Sequence, residues 1–341
     1  MKFIVQKVVR GVLAAGWLLA LGWPAVQAQP VVVDTAFVQA ALQRGVQVWD
    51  VRDARDYAKA HLPGALTIGD AAKELRNPNS EDFIATERIA KLLGAAGIDP
   101  ARETIVYGAR GTWNPYFGRY ALRHFGARQA YVYHDGIEEW QAVQQPVESG
   151  AAKPTPVTLQ LQPAPDVSID TAGLRSRLGQ PDVQILDVRT PREFAGDDIR
   201  ALRGGHIPGA VNIPYEQNWL DPETVQKRAR KEVPDTRGMA LRPAAELKAL
   251  YAGLDPDKET IVYCQSGARA SEAAGVLEQL GFSKVRIYDS SWLGWANTLD
   301  APAANQQFVN IGALNSRLSA LQTRVDTLEK ELAAARKGGT Q

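Results

Sequence analysis

The sequence predicts an α/β protein. It has two homologous domains in tandem, each a parallel sheet flanked by helices, followed by a C-terminal helix. Three observations carry that expectation. The order of segments in the first half recurs in the second. Within each half, short β-branched runs alternate with stretches of helical spacing, and parallel strands need such crossovers between them. Residues 305–341 leave the repeat and space their apolar residues by three and four.

The 341 residues suit about two domains. Residues 1–28 stand apart. Lys2, Lys7 and Arg10 precede an apolar run over 11–23, and Val26-Gln27-Ala28 supplies small residues at a cleavage site. This reads as a secretory signal peptide and predicts export, to a periplasm or equivalent compartment. The alternative is an uncleaved anchor, for which the run is short. Removal of 1–28 takes away three positive charges, so the net charge of +1 becomes −2. The balanced charge, without a basic block, excludes a nucleic-acid binder.

In the first domain, 29–145, the spacing predicts a helix over 34–44, a strand over 46–50 ending in Asp50, and a turn at 61–65. A helix follows over 86–96, then a strand over 103–107, a helix over 116–125 and a strand over 130–133. In the second domain, 166–304, Ile185-Leu186-Asp187-Val188-Arg189-Thr190-Pro191-Arg192-Glu193-Phe194 answers 48–57. Gly205-His206-Ile207-Pro208-Gly209-Ala210 answers 60–65. Glu259-Thr260-Ile261-Val262-Tyr263-Cys264 answers 103–108, with five identities before the last position. Val285 to Trp295 parallels Tyr131 to Trp140. Between the domains, 146–165 is rich in Pro, Ala and Gly and reads as a linker. In 305–341, Ile311, Leu314, Leu318, Leu321, Val325, Leu328 and Leu332 form an a/d seam over three heptads. Arg324 with Glu329, and Glu331 with Arg336, fall at g and the following e. Both pairs attract across a parallel two-stranded coil, which predicts a homo-oligomer through 311–335. The alternative is a single amphipathic helix packed on its own domain.

The chemistry concentrates in Ile261-Val262-Tyr263-Cys264-Gln265-Ser266-Gly267-Ala268-Arg269. A β-branched run stops at Cys264, the sole cysteine, and a short loop leads into helical spacing over 270–280. A thiol facing the first turn of a helix meets unpaired N–H groups and the positive end of the dipole, which favour a thiolate nucleophile. The competing reading is an inert buried cysteine. No internal disulfide is possible, so an exported chain would carry a reactive thiol or pair with another molecule. Gly267 permits a tight loop. Arg269 can brace it or hold an anion through its planar fork. Ser266 and Gln265 act through their backbones, with a further hydrogen bond open to Ser266. Arg189 either meets the substrate anion at the cleft or pairs with a nearby carboxylate.

The doubled series Asp-Val-Arg, Glu-Phe, Gly-His-Ile-Pro-Gly-Ala and Val-Tyr-Cys-Gln-Ser-Gly-Ala-Arg resembles the two-domain rhodanese family, the thiosulfate and 3-mercaptopyruvate sulfurtransferases, over roughly 34–300. The resemblance implies that Cys264 accepts a sulfane sulfur and carries it as a persulfide with no other cofactor and no metal. It implies that residues 265–269 (Gln265, Ser266, Gly267, Ala268 and Arg269) wrap that sulfur with N–H groups, and that the site lies between the domains. The donor is then a small sulfur-containing anion such as thiosulfate. With no second cysteine to discharge the persulfide, the acceptor is an external thiol or cyanide. The long mercaptopyruvate enzymes tend to carry Arg near the position of Glu193, so Glu193 favours thiosulfate. Gly108 replaces the cysteine in the first domain, which implies a supporting role there, with Arg110 and Trp113 able to approach the site. His61 and His206 recur in both domains and are read as structural. Asp50 and Asp187 are read as bonding backbone or Arg, and Trp292 and Trp295 as packing below the loop. Two rivals remain. Related dual-specificity phosphatases place one residue more between Cys and Arg than the four here. A non-catalytic sulfur-relay scaffold is the other.

Overall fold

The computed structural model describes residues 30–338, so the segment read as a signal peptide lies outside the described residues. The first domain is built on a four-stranded parallel sheet of β1 (Gln47–Asp50), β2 (Leu66–Thr67), β3 (Thr104–Tyr107) and β4 (Ala130–Tyr133), in the order β2-β1-β3-β4. The second contains β5 (Ser168–Ile169), β6 (Val183–Asp187), β7 (Arg203–His206), β8 (Ala210–Asn212), β9 (Glu259–Tyr263), β10 (Val285–Tyr288) and β11 (Ala304–Phe308). Its main sheet runs β5-β10-β9-β6-β8, all parallel, and β7 pairs antiparallel with β11. The two sheets share one order, because Val32 bridges Val132 in parallel where β5 joins β10.

The central strands are buried on both faces, as strands covered by helices on both sides must be. The repeat extends to side chains. Tyr57 stacks on His61 at 3.9 Å and Phe194 on His206 at 3.6 Å. Each histidine Nδ1 bonds a carbonyl of the same aromatic residue, at 2.8 and 2.9 Å. Trp140 and Trp295 each donate Nε1–H to a proline carbonyl, at Pro146 and Pro302. A pair of residues doing the same work in both domains is part of the frame, and the two histidines belong to it.

The largest core cluster is common to both domains. Trp49, Val51 and Phe117 of the first join Leu186, Val188, Cys264 and Ala273 of the second. Helix Asn114–His124 packs on helix Ala268–Gln279 so closely that a Cβ on Gly275 would stand 2.8 Å from the Tyr116 ring. Arg119 and Arg123 close the far end on Glu278, the first at 2.8 Å. The segment between the domains is a strap rather than a loose tether. Val157 N–H bonds Gly94 O at 2.9 Å, Ala164 N–H bonds His124 O at 2.7 Å, and Leu161 is buried in the shared core. The tail forms one helix, Ile311–Gly338. Its seven seam residues are 45–62% exposed, so the helix does not lie on its own domain. Among the described residues no helix is long and apolar enough to cross a membrane.

Candidate active site

Strand β9 ends at Tyr263, and its next residue, Cys264, is 1% exposed. The loop then turns through Gly267, at φ +83°, into the first turn of Ala268–Gln279. Any side chain on Gly267 would meet Asp289 O at 2.6 Å and the Arg76 guanidinium at 2.8 Å, so the position admits only glycine. The base of the loop is fixed from below. Cys264 N–H donates to Ser291 Oγ at 3.1 Å, while Trp292 and Leu293 donate to the carbonyls of Cys264 and Gln265 at 3.0 and 2.9 Å. Ser291 is fully buried and holds φ +49°, an unfavourable backbone state for a side-chain-bearing residue. Its counterpart in the first domain is Gly136, at φ +60°.

Above the loop lies a cavity of about 790 Å³ between the domains. Gln265, Ser266, Ala268 and Arg269 form its floor, and Lys73, Arg76 and Trp113 enter from the first domain. Cys264, the residue before Gln265, is buried and does not itself line the cavity. Arg269 presents both terminal nitrogens to Glu193, at 2.9 and 2.8 Å. Glu193 is 1% exposed and also closes a capping box with Thr190. Burial works to raise its pKa, but the bonds and charge of Arg269 outweigh that and bring it down to about 2. Arg269 is shifted upward: burial opposes its charge, and the Glu193 bonds and the nearby Cys264 sulfur favour it more. Arg269 therefore lines the site as half of an ion pair, not as a bare cation. Gln265 contributes more than backbone: its amide donates to Arg200 O at 2.8 Å and ties the loop to the segment before β7.

Two sequence expectations need correction. Arg189 does not reach the cleft. It is 1% exposed, grips Asp187 through Nε and Nη2 at 2.6–3.1 Å, and donates to Gly205 O, with its plane 4.7 Å from the Trp292 ring. Arg52 does the same with Asp50, so this arginine belongs to the duplicated frame. Arg110 does not approach the site either. It pairs with Glu139 at 2.6 Å inside its own domain. Ser266 Oγ makes no hydrogen bond among the described residues. Arg76, which carries no signal in its local sequence, crosses from the first domain to the Ser266 carbonyl and to Asp289 Oδ1, the latter at 2.5 Å.

The first domain retains the loop with a different occupant. Gly108-Ala109-Arg110-Gly111 superposes in role on Cys264-Gln265-Ser266-Gly267, with Gly111 at φ +69°. There the Arg110 N–H donates to the Glu138 carboxylate at 2.8 Å. A loop N–H is thus already bound to an anion. In the second domain Leu293 occupies the position of Glu138, and the Ser266 N–H has no acceptor among the described residues. That cradle is left open to an anion.

Comparisons with known proteins agree with this geometry. A family model described as "Rhodanese-like domain" matches twice, at 35–143 and 170–298. The chain is 34% identical to a thiosulfate sulfurtransferase of Corynebacterium glutamicum, over 73% of this chain and 81% of that one. It is 31% identical to the thiosulfate sulfurtransferase of Azotobacter vinelandii, covering 80% and 96%. Among solved structures it is similar to the 3-mercaptopyruvate sulfurtransferase SseA of Escherichia coli, with TM-score 0.65, 23% identity, and 77% and 99% coverage.

Proposed function

This chain belongs to the rhodanese-like family, and on that premise we propose that it is a thiosulfate sulfurtransferase working through Cys264. The observation that carries the reading is the internal contrast: one loop holds its own carboxylate and lacks the thiol, and the other has the thiol and free N–H groups. Cys264 thiolate attacks the outer sulfur of thiosulfate. The S–S bond of the donor breaks, its electron pair leaves with sulfite, and a Cys264 persulfide remains. An external thiolate or cyanide then attacks the outer sulfur and releases the Cys264 thiolate. Loop N–H groups stabilise the anionic sulfur in both half-reactions. The reading needs no metal or cofactor, because the sulfur is carried covalently. The pairing of Arg269 with Glu193 favours thiosulfate over a carboxylate-bearing donor, since the loop's own cation is already neutralised. The test has two parts. Thiosulfate treatment should add the mass of one sulfur atom to Cys264, and cyanide should discharge it as thiocyanate. Steady-state kinetics with thiosulfate and 3-mercaptopyruvate side by side should favour thiosulfate in kcat/KM. No mass gain would overturn the enzyme reading, and the reverse preference would overturn the donor.

The cationic start and apolar run of residues 1–28 support an exported protein. The tail supports a homo-oligomer. A 28-residue helix with an unburied heptad seam gains little alone, and a second copy would cover that seam. Leu321→Asp, at the middle of the seam, should convert the assembly to monomers by sedimentation while leaving single-turnover sulfur transfer intact. A wild-type monomer at micromolar concentration would sink the oligomer.

A further inference from the structure

Arg76 lies in the domain without a thiol, yet its guanidinium is part of the catalytic loop's surroundings. The residue follows the short helix Ala71–Leu75 and is 7% exposed. Its plane lies 4.7 Å from the Phe117 ring and 5.8 Å from the Phe83 ring, which aim the fork across the domain boundary. One terminal nitrogen donates to the Ser266 carbonyl and the other to Asp289 Oδ1. Beside it, Ser290 Oγ donates to Asp82 Oδ1 at 2.7 Å. The loop over 76–83 thus holds both the Ser266–Gly267 peptide and the turn that supports it.

A trans peptide points its C=O and N–H in opposite directions. Whatever holds the Ser266 carbonyl therefore also aims the Gly267 N–H. Glycine on one side of this peptide removes the usual steric bar to rotating it. The first domain supplies the contrast. There the Gly111 N–H donates to the carbonyl of His134, the residue that stands where Asp289 does, at 3.2 Å. The same glycine is covered by Met239, whose carbonyl accepts from His134 Nε2–H at 2.8 Å. In the dead loop this N–H is consumed. In the live loop it has no acceptor among the described residues, and Arg76 holds the carbonyl of the same peptide instead.

We propose that Arg76 is a positioning residue that locks the Ser266–Gly267 peptide with its N–H available to the sulfur on Cys264, so that the first domain sets the reactivity of the second. The inference rests on the sulfurtransferase reading and adds to it a residue 190 positions away in sequence. It is tested with full-length Arg76→Gln, Arg76→Lys and Asp289→Asn. Three quantities are measured where each variant is folded: the single-turnover rate of persulfide formation from thiosulfate, the pH profile of Cys264 alkylation by iodoacetamide, and the thermal midpoint. Loss of one oriented donor to a developing anion commonly costs about 10²–10³ in rate when the donor itself is removed, and misorientation should cost less. Arg76→Gln is expected to slow persulfide formation by about 10–100-fold and to move the alkylation profile to higher pH. Arg76→Lys should restore part of both. Asp289→Asn, which leaves the bond to Ser266, should lower the midpoint with a smaller change in rate. The proposal is overturned if Arg76→Gln is folded with a wild-type rate and profile, or if rate follows the midpoint alone across the three variants. Failure of the wild type to form a persulfide would instead remove the sulfurtransferase reading, and the alkylation profiles would still report on the peptide.

Discussion

Cys264→Ser is expected to bring thiosulfate-dependent thiocyanate formation to background, a loss of at least about 10⁴-fold, since no residue can share the covalent step. Adding Gly108→Cys to that variant is expected to restore nothing. A side chain at 108 would already press on Pro115 and Val51 at 3.2–3.3 Å. The new thiol would also open onto a loop whose Arg110 N–H is bound to Glu138 and whose Gly111 is covered by Met239. A fixed carboxylate beside a nascent thiolate opposes its charge. Coupled thiocyanate colorimetry on the two variants checks both statements. Recovery of turnover in the double variant would show that the first loop is a working cradle after all.

The second large effect concerns Glu193. Glu193→Gln leaves Arg269 charged and partly buried with a neutral partner, and breaking such a pair costs about 3–5 kcal/mol when one member is removed. The depressed pKa gives a similar scale. A carboxylate at about 2 in the fold and near its ordinary 4.5 when unfolded contributes about 3 kcal/mol. The sign follows from the direction. The contribution is fully present above the unfolded pKa, begins to fall below about pH 4.5, and is gone once pH has passed through about 2. Urea denaturation at pH 7 should therefore show the variant less stable by about that amount, and the gap between variant and wild type should close in acid. Activity should fall too, because Arg269 would no longer be held at the floor of the cavity. A gap independent of pH between 2 and 5 would show that the pair is not what stabilises the fold.

How much of this was readable in advance depends on the range of the interaction. The strands announced themselves because β-branched runs such as Thr260-Ile261-Val262 are local, and the repeat doubled every signal. Asp34 caps its helix from within a few residues, and that start was visible. Arg76 had no local signature: an arginine after a five-residue helix gains meaning only from Ser266 and Asp289 in the other domain. Glu138 was invisible for a related reason, since a carboxylate at an exposed-looking helix start carries no sign that it faces an N–H of Arg110. Arg189 was a different kind of miss. The sequence held Arg52 as its copy in the first domain, and the logic that classed His206 as frame applies equally to Arg189.

The common core has a consequence for how the chain reaches its native state. Tyr116 and Val31 of the first half pack against Gly275 of the second, beside a core cluster drawn from both. A first half emerging from a ribosome ahead of the second would present that face uncovered until helix Ala268–Gln279 arrives. Two sequence repeats thus make one cooperative unit. Denaturation should pass through a single transition rather than two, and during synthesis the exposed intermediate is the form that a chaperone would meet.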